Sequence, residues 1–288
     1  SLETGEIQIA PIPPQYMENA LANPDIEVIS AVDTTTGYFG MNNQFAPFDN
    51  MEVRQAIAYA LDRQEVVDIA FDGTGAIPTY QPLAVGNQGH NPDLEAYGMA
   101  TSDDVDMAMQ MLDDLGYVDT DGDGIRETPE GVPMEYKLQF ITDPTTQRIA
   151  ETLQNQLLQI GIATNLTPVD GTVMRETTAA GEHEMFTWMY GMLDPMITTY
   201  IFHSARIGAS NRNHVNSPEL DALLDIQDSA LDPAVRQLAV DDVTHYLIDN
   251  RHHVPLFTFV SFVGYRSDLV EPKFDILGGT WFCDTVVK

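Results

Sequence analysis

The residues with the sharpest chemical spacing are Asp119, Asp121, Asp123, Glu127 and Glu130. With Gly124 among them, they put acids at positions 1, 3, 5, 9 and 12 of a loop and glycine at position 6, the spacing of a calcium loop. Alternating carboxylates gather hard oxygens on one side, and Gly124 can take the positive-φ bend that wraps them about a cation. A helix is expected before the loop, but Gly131, Val132, Pro133 and a strand follow it, so no exiting helix fixes Glu130 as a bidentate ligand. Two readings stay open: a structural Ca2+, or a solvated Asp-Gly turn.

Other reactive side chains form no constellation. His183 and Glu184 lack a second histidine four residues on, which removes the metalloprotease pattern. His252 and His253 are adjacent at the start of an expected strand, so they point to opposite faces and read as polar strand-end residues. Cys283, the one cysteine, follows Trp281 and Phe282 and reads as an inert buried thiol. No nucleophile elbow, phosphate loop or dinucleotide fingerprint occurs. The chain is therefore expected to bind and not to catalyse.

The aromatic stretch Phe186, Trp188, Tyr190 is the best candidate for binding. The three rings alternate along one strand that ends at Gly191, with Asp194 and Pro195 forming a turn. Such a stripe is either core or, at the carboxyl edge of an α/β sheet, a surface that stacks and orients a ligand. Asn211, Arg212 and Asn213 follow in a loop expected on the same side.

The elements that position these residues are legible from periodicity. Val53, Ile57, Ala60 and Leu61 fall at helical spacing, and Asp62 with Glu65 opens a second helix that stops at Gly73. Val105, Ala108, Met109 and Leu112 mark a helix ended by Gly116; Ile149, Leu153, Leu157 and Ile160 mark one ended by Gly161. Tyr136, Leu138 and Phe140 alternate as a half-buried strand does. Ser217-Pro218 and Asp232-Pro233 announce two late helices, and Val254 to Val263 is the last expected strand. Helices separating strands give an α/β fold with a mixed or parallel sheet.

Composition narrows the partners. The 288 residues carry 44 acids (28 Asp, 16 Glu) against 13 bases, of which only three are lysine, for a net charge of −31. This argues against nucleic acid and anionic membrane surfaces as partners, since both need a positive patch. The acid excess resembles the salt-adapted surfaces of halophilic archaeal proteins, where concentrated salt screens the self-repulsion. No apolar run is long enough to span a membrane, and Ser1 to Glu6 does not form a signal peptide.

Taken in order, several segments resemble the family 5 extracytoplasmic solute-binding proteins of ABC importers. Gly5 to Ile9 is similar to the family's "GEvDi", and Val53 to Arg63 to its "vRqAlayAiDr". Leu115-Gly116-Tyr117, Leu157 to Ile162, Trp188 to Pro195, Ser217 to Asp221 and Val254 to Phe257 follow in family order. The resemblance implies a type II periplasmic-binding-protein fold, seen here as the C-terminal portion of a longer chain. Residues 1–37 would be a remnant of lobe 1, 38–250 lobe 2, and 251–288 the return to lobe 1. Hinge strands would lie near Tyr38 to Asn42 and His253 to Phe257. Phe259, Phe262, Trp281 and Phe282 would expose apolar surface.

The same resemblance implies an extracytoplasmic, lipid-anchored monomer that captures a peptide, delivers it to an ABC permease by lobe closure, and requires no cofactor. In peptide-binding relatives an Asp three residues after the strand Trp pairs with the ligand's α-ammonium. Here that position is Gly191, and Asp194 matches a second family acid that forms the turn. The departure leaves room for a longer or blocked peptide, or for an oligosaccharide stacked on Trp188. The implied ligand contacts are Trp188, Tyr190, Gly191, Asp194, Asn211, Arg212 and Asn213. A reading of another class, a calcium-dependent interaction module, rests on the Asp119 to Glu130 loop.

Overall fold

The computed structural model describes residues 1–13, 16–274 and 280–287, with backbone alone at 274 and 280–284. The expectations for Trp281, Phe282 and Cys283 therefore lie outside the described side chains.

Helices begin where a short polar side chain can accept from the first free N–H groups. Asn50 opens α2 (Met51–Ala60), Asp62 opens α3 (Arg63–Phe71), and Asn91 opens α4 (Pro92–Ala100). Asp104, Asp143 and Asp170 do the same for α5 (Val105–Asp114), α6 (Pro144–Gln159) and α7 (Gly171–Ala180). Met196, which offers no side-chain cap, precedes the short α8 (Ile197–Phe202). Ser217 and Asp232 cap α9 (Pro218–Ser229) and α10 (Pro233–Asn250), with proline at the first helical position as expected. A one-turn helix, α1 (Met17–Ala22), lies near the start. Part of the acid excess thus has local work, since negative side chains also suit the positive helix N-terminus.

The main sheet runs in the order β1-β7-β2-β6-β4-β5, with β3 also on β7. The strands are β1 (Ile9–Pro11), β2 (Ile26–Met41), β3 (Ala76–Pro78), β4 (Glu135–Ile141), β5 (Ala163–Val169), β6 (Met185–Gly191) and β7 (His253–Arg266). A separate hairpin, β8 (Val270–Phe274) with β9 (Thr280–Val287), follows the strand expected to be last. β2 is antiparallel to both β6 and β7, whereas β4 is parallel to β5 and β6. The expected hinge segments are neighbours: Tyr38 faces Pro255, and Gly40 faces His253.

Alternation along the strands splits the core between the two faces. Phe39, Met41, Leu138, Phe140 and Met185 join α2, α3, α5 and α6 on one side. Tyr38, Phe186 and Tyr190 join Met174 of α7 and the residues of α8, α9 and α10 on the other. A smaller cluster of Leu2, Ala20 and Ile26 is separate from both. Phe259 and Phe262 are half-buried, the former packed edge-on against Phe71.

Candidate functional site

The chain leaves β4 through α6 to reach β5 on one side, then crosses back through α7 to β6 on the other. The two crossover helices pack on opposite faces, Ile149 and Leu153 in one core and Met174 in the other. Beyond the carboxyl ends of β4 and β6 lies the point where strand order reverses, the usual place for a ligand crevice in an α/β sheet. The pairing of β4 with β6 lasts only from Leu138/Met185 to Gln139/Phe186. Past it the strands part.

The gap is a cavity of about 270 Å³ walled by Ile141 of β4, Thr187, Trp188 and Met189 of β6, Tyr38 of β2 and Phe257 of β7. Asp143, Thr146 and Ile149 close its α6 side and continue into a second cavity of about 480 Å³ that reaches Phe71, Asp72 and Arg148. Asp143 accepts from the Thr145 and Thr146 amides and from the Thr146 hydroxyl, so its carboxylate is tied to the helix start. The walls are otherwise mainly apolar. Gly37 has a packing reason: a Cβ there would stand 2.1 Å from the Phe257 ring, which lies across the β2 backbone.

The aromatic stripe divides between both readings made of it. Phe186 and Tyr190 are core, 0% and 7% exposed, and the Tyr190 hydroxyl lies 2.8 Å from the Pro82 carbonyl and 3.0 Å from His253 Nε2. Trp188 is half-buried and reaches the cavity. Arg212 lies over its ring, with the guanidinium carbon 4.9 Å from the centroid. One Nη of Arg212 donates to the Thr178 hydroxyl at 3.1 Å, and burial pulls the guanidinium pKa down.

The flanking amides are not beside the cavity. Asn211 is buried and spent inside its own loop, donating to the carbonyls of Phe202, His203 and Val215 and accepting from Val215 N. Asn213 is fully buried, and its backbone carbonyl accepts from Asn43. Asp194 forms the expected turn through Met196 N and pairs bidentately with Arg236 at 2.9 and 2.6 Å. The hydrogen bonds from Arg236 hold its carboxyl below the usual range.

Gly191 pairs with Thr35, and a Cβ at 191 would stand 2.5 Å from the Thr35 hydroxyl and 3.1 Å from its Cα. A carboxylate side chain at this position would meet the Thr35 side chain and backbone. The Thr35 hydroxyl donates instead to Asp33, 3.0 Å away on β2.

His252 and His253, expected as polar strand-end residues, are both buried. His252 meets Asn43 at 2.7 Å, and burial brings its pKa down to about 3; His253 is wedged among Tyr38, Tyr190 and Phe202 and is also pushed down by burial.

The acidic loop is assembled in part. Carboxylate oxygens of Asp119, Asp121, Asp123 and Glu127 come within 4.8 Å of one another; Glu130 does not belong to this group. Glu127 is buried and accepts from Thr120 N and its hydroxyl, while Asp119 accepts from Gly122 N and Gly124 N, which lowers its pKa. β4 follows the loop, so no helix carries Glu130 back.

Tyr38, Asp143, Thr146, Met189 and Phe257 were not anticipated at the site. Asp143-Pro144 offered the same cap signal as Asp232-Pro233 and would have put a helix start at the end of β4. Tyr38 and Phe257 had no local signal, because strand pairing alone brings them there.

A family model described as bacterial extracellular solute-binding proteins, family 5, middle, matches residues 1–209. The chain belongs to this family. It is 27% identical over 208 residues to heme-binding protein A of Haemophilus influenzae, covering 70% of this chain and 35% of that one. It is 30% identical over 196 residues to the glutathione-binding protein GsiB of Salmonella typhi, covering 66% and 34%. To the probable D,D-dipeptide-binding periplasmic protein DdpA of Escherichia coli it is 26% identical over 261 residues, covering 89% and 47%. The chain thus spans less than half the length of these relatives. HbpA2 of Haemophilus parasuis superposes with a TM-score of 0.87 at 21% identity, covering all of this chain and 55% of that one. AppA of Bacillus subtilis, solved with a nonapeptide, superposes at 0.78 and 21%, covering 96% and 55%. These likenesses give the family 5 chain the fold of a type II periplasmic binding protein.

Proposed function

We propose that this family 5 chain is the ligand-holding part of the capture subunit of an ABC importer, working outside the membrane as a lipid-anchored monomer. It binds a peptide in the crevice beyond β4 and β6 and delivers it to the permease by lobe closure, without chemistry on the solute. The observation that carries this is the apolar cavity at the switch point, with half-buried Trp188 in its wall, in a chain of this family. Lobe 2 is taken as 38–250, joined to residues 1–37 and 251–288 through the paired strands β2 and β7. Peptide is favoured over oligosaccharide because Ile141, Ile149, Met189 and Phe257 offer apolar walls, and Arg212 already covers one face of Trp188. Two of the relatives are named for peptidic ligands, glutathione and a D,D-dipeptide.

Native mass spectrometry of the purified chain, before and after addition of a mixed peptide digest, tests the reading. Adducts spaced by amino-acid residue masses are expected. A hexose ladder moves the assignment to an oligosaccharide, and no adduct from either source overturns the reading.

The convergence of four carboxylates favours a second element, a structural Ca2+ held by Asp119, Asp121, Asp123 and Glu127. In the capture reading chelation lowers local stability alone. Loss of partner binding on chelation would instead favour a calcium-dependent interaction module.

A further inference from the structure

The crevice consists of two linked cavities of unlike character. The first, about 270 Å³, is walled chiefly by Ile141, Ile149, Trp188, Met189, Leu256 and Phe257. Polar groups on its α6 side are already engaged: the Thr146 hydroxyl lies between the Ile141 carbonyl and the Asp143 carboxylate, which also accepts from the Thr145 and Thr146 amides. The second cavity, about 480 Å³, is more polar and carries Thr145 with the ion pair of Asp72 and Arg148, 3.6 Å apart. Asp143 and Met189 line both.

The aromatic walls of the first cavity are fixed before a solute arrives. The Phe257 ring lies across the Gly37 backbone and packs against Phe71, with ring centroids 4.6 Å apart. Trp188 has the Arg212 guanidinium over its ring. Walls held in this way spare a ligand the cost of ordering them. The size suits a ring system: an apolar cavity of about 150 Å³ stays dry and takes up benzene, so about 270 Å³ has room for a ring as large as indole. Met189 is a separate sign. It is 40% exposed although it belongs to the wall of both cavities, so a solute seated there would take its apolar surface out of water.

We propose that the first cavity is a side-chain pocket that selects solutes by one aromatic or large aliphatic group, while the second cavity holds the adjoining, more polar part. Gly191 brings no carboxylate to this end of the sheet, so discrimination falls to the apolar group. An acidic side chain in the pocket would lie beside Asp143, in a chain whose net charge is already −31. The order of preference is therefore aromatic or large aliphatic, then small, then acidic. The proposal deepens the capture reading and rests on it for the solute being a peptide.

The test titrates the purified full chain with indole, a side-chain probe without a peptide backbone, and follows the methyl resonances of Ile141, Ile149 and Met189. Saturable ring-current shifts are expected at all three, weakened at least tenfold in Met189→Glu, which charges the wall, and in Ile141→Phe, which fills the space. Met189 is exposed enough for its variant to fold if the other does not. No saturable shift up to about 5 mM indole overturns the proposal. A parallel series compares tetra-alanine with the four tetrapeptides that carry one phenylalanine and the four that carry one glutamate. At least one phenylalanine peptide should bind about 10- to 100-fold tighter than tetra-alanine, and its glutamate counterpart more weakly than tetra-alanine. Equal binding of all nine overturns the proposal while leaving the peptide reading intact. Indole binding with no tetrapeptide bound supports the pocket and counts against the peptide reading.

Discussion

Gly191 shows how one missing side chain is decided by a neighbour. The Thr35 hydroxyl fills the space a Cβ there would need. Gly191→Asp is therefore expected to destabilise by about 1–3 kcal/mol, the usual cost of overpacking, and not to create an amine-binding site. Denaturant unfolding checks this, and unchanged stability with tighter binding of free-amine peptides would contradict it. The histidines give a pH dependence of definite sign. Burial lowers the folded pKa of His183 to about 4 and of His252 to about 3, below the ordinary value of 6.5. The native state stays neutral there while the unfolded chain takes up protons, so this stability is full above about pH 6.5 and is lost as pH falls toward those values. Each histidine adds a slope of about 1.4 kcal/mol per pH unit. In His252→Gln the fall in stability between pH 6 and pH 4 should be shallower; an unchanged slope would mean that the ring is already protonated or solvated.

At the scale of elements, aspartate caps couple the acid-rich composition to the site. Asp143 both opens α6 and lines the cavity. Asp143→Ala is expected to cost about 1 kcal/mol, typical of a lost cap, and to weaken ligand binding through movement of Thr146. Asp232→Ala, at a cap away from the cavity, should cost the same stability and leave binding unchanged, which separates the two effects. The acidic loop makes its own prediction: millimolar CaCl2 should raise the melting temperature by a few degrees, and Asp123→Asn should abolish the rise. An equal rise with MgCl2 or in the variant would assign the effect to general screening. Periodicity found α2, α3, α5 and α6, and the Ser217-Pro218 and Asp232-Pro233 cap signals found α9 and α10. Among the described elements, α1, α4, α7, α8 and the β8–β9 hairpin were not anticipated.

For the whole molecule, charge governs the response to solvent. With −31 spread over 288 residues, self-repulsion opposes the compact state until salt screens it. The melting temperature should rise between 0.1 M and 2 M KCl, a range over which the Debye length falls from about 10 Å to under 3 Å. A temperature that does not respond would show that the acids are neutralised within the fold. No described helix is long and apolar enough to cross a membrane. The two cores lie on opposite faces of the sheet, and the helices of the two faces also meet directly, Gln55 of α2 donating to the Asp249 carbonyl of α10.

The sequence by itself determined the α/β alternation, the capped helices and the family, since each is written in local periodicity, turn chemistry or motif order. Tertiary structure alone decided which side chains reach the cavity. Register puts Tyr38 opposite Trp188, early loss of β4–β6 pairing opens the gap, and packing turns Tyr190, Asn211 and Asn213 inward while leaving Arg212 at the ring of Trp188. Those outcomes depend on contacts between residues more than a hundred positions apart, as at Tyr38 and Trp188, or on the close packing of a buried loop, and no local pattern encodes either.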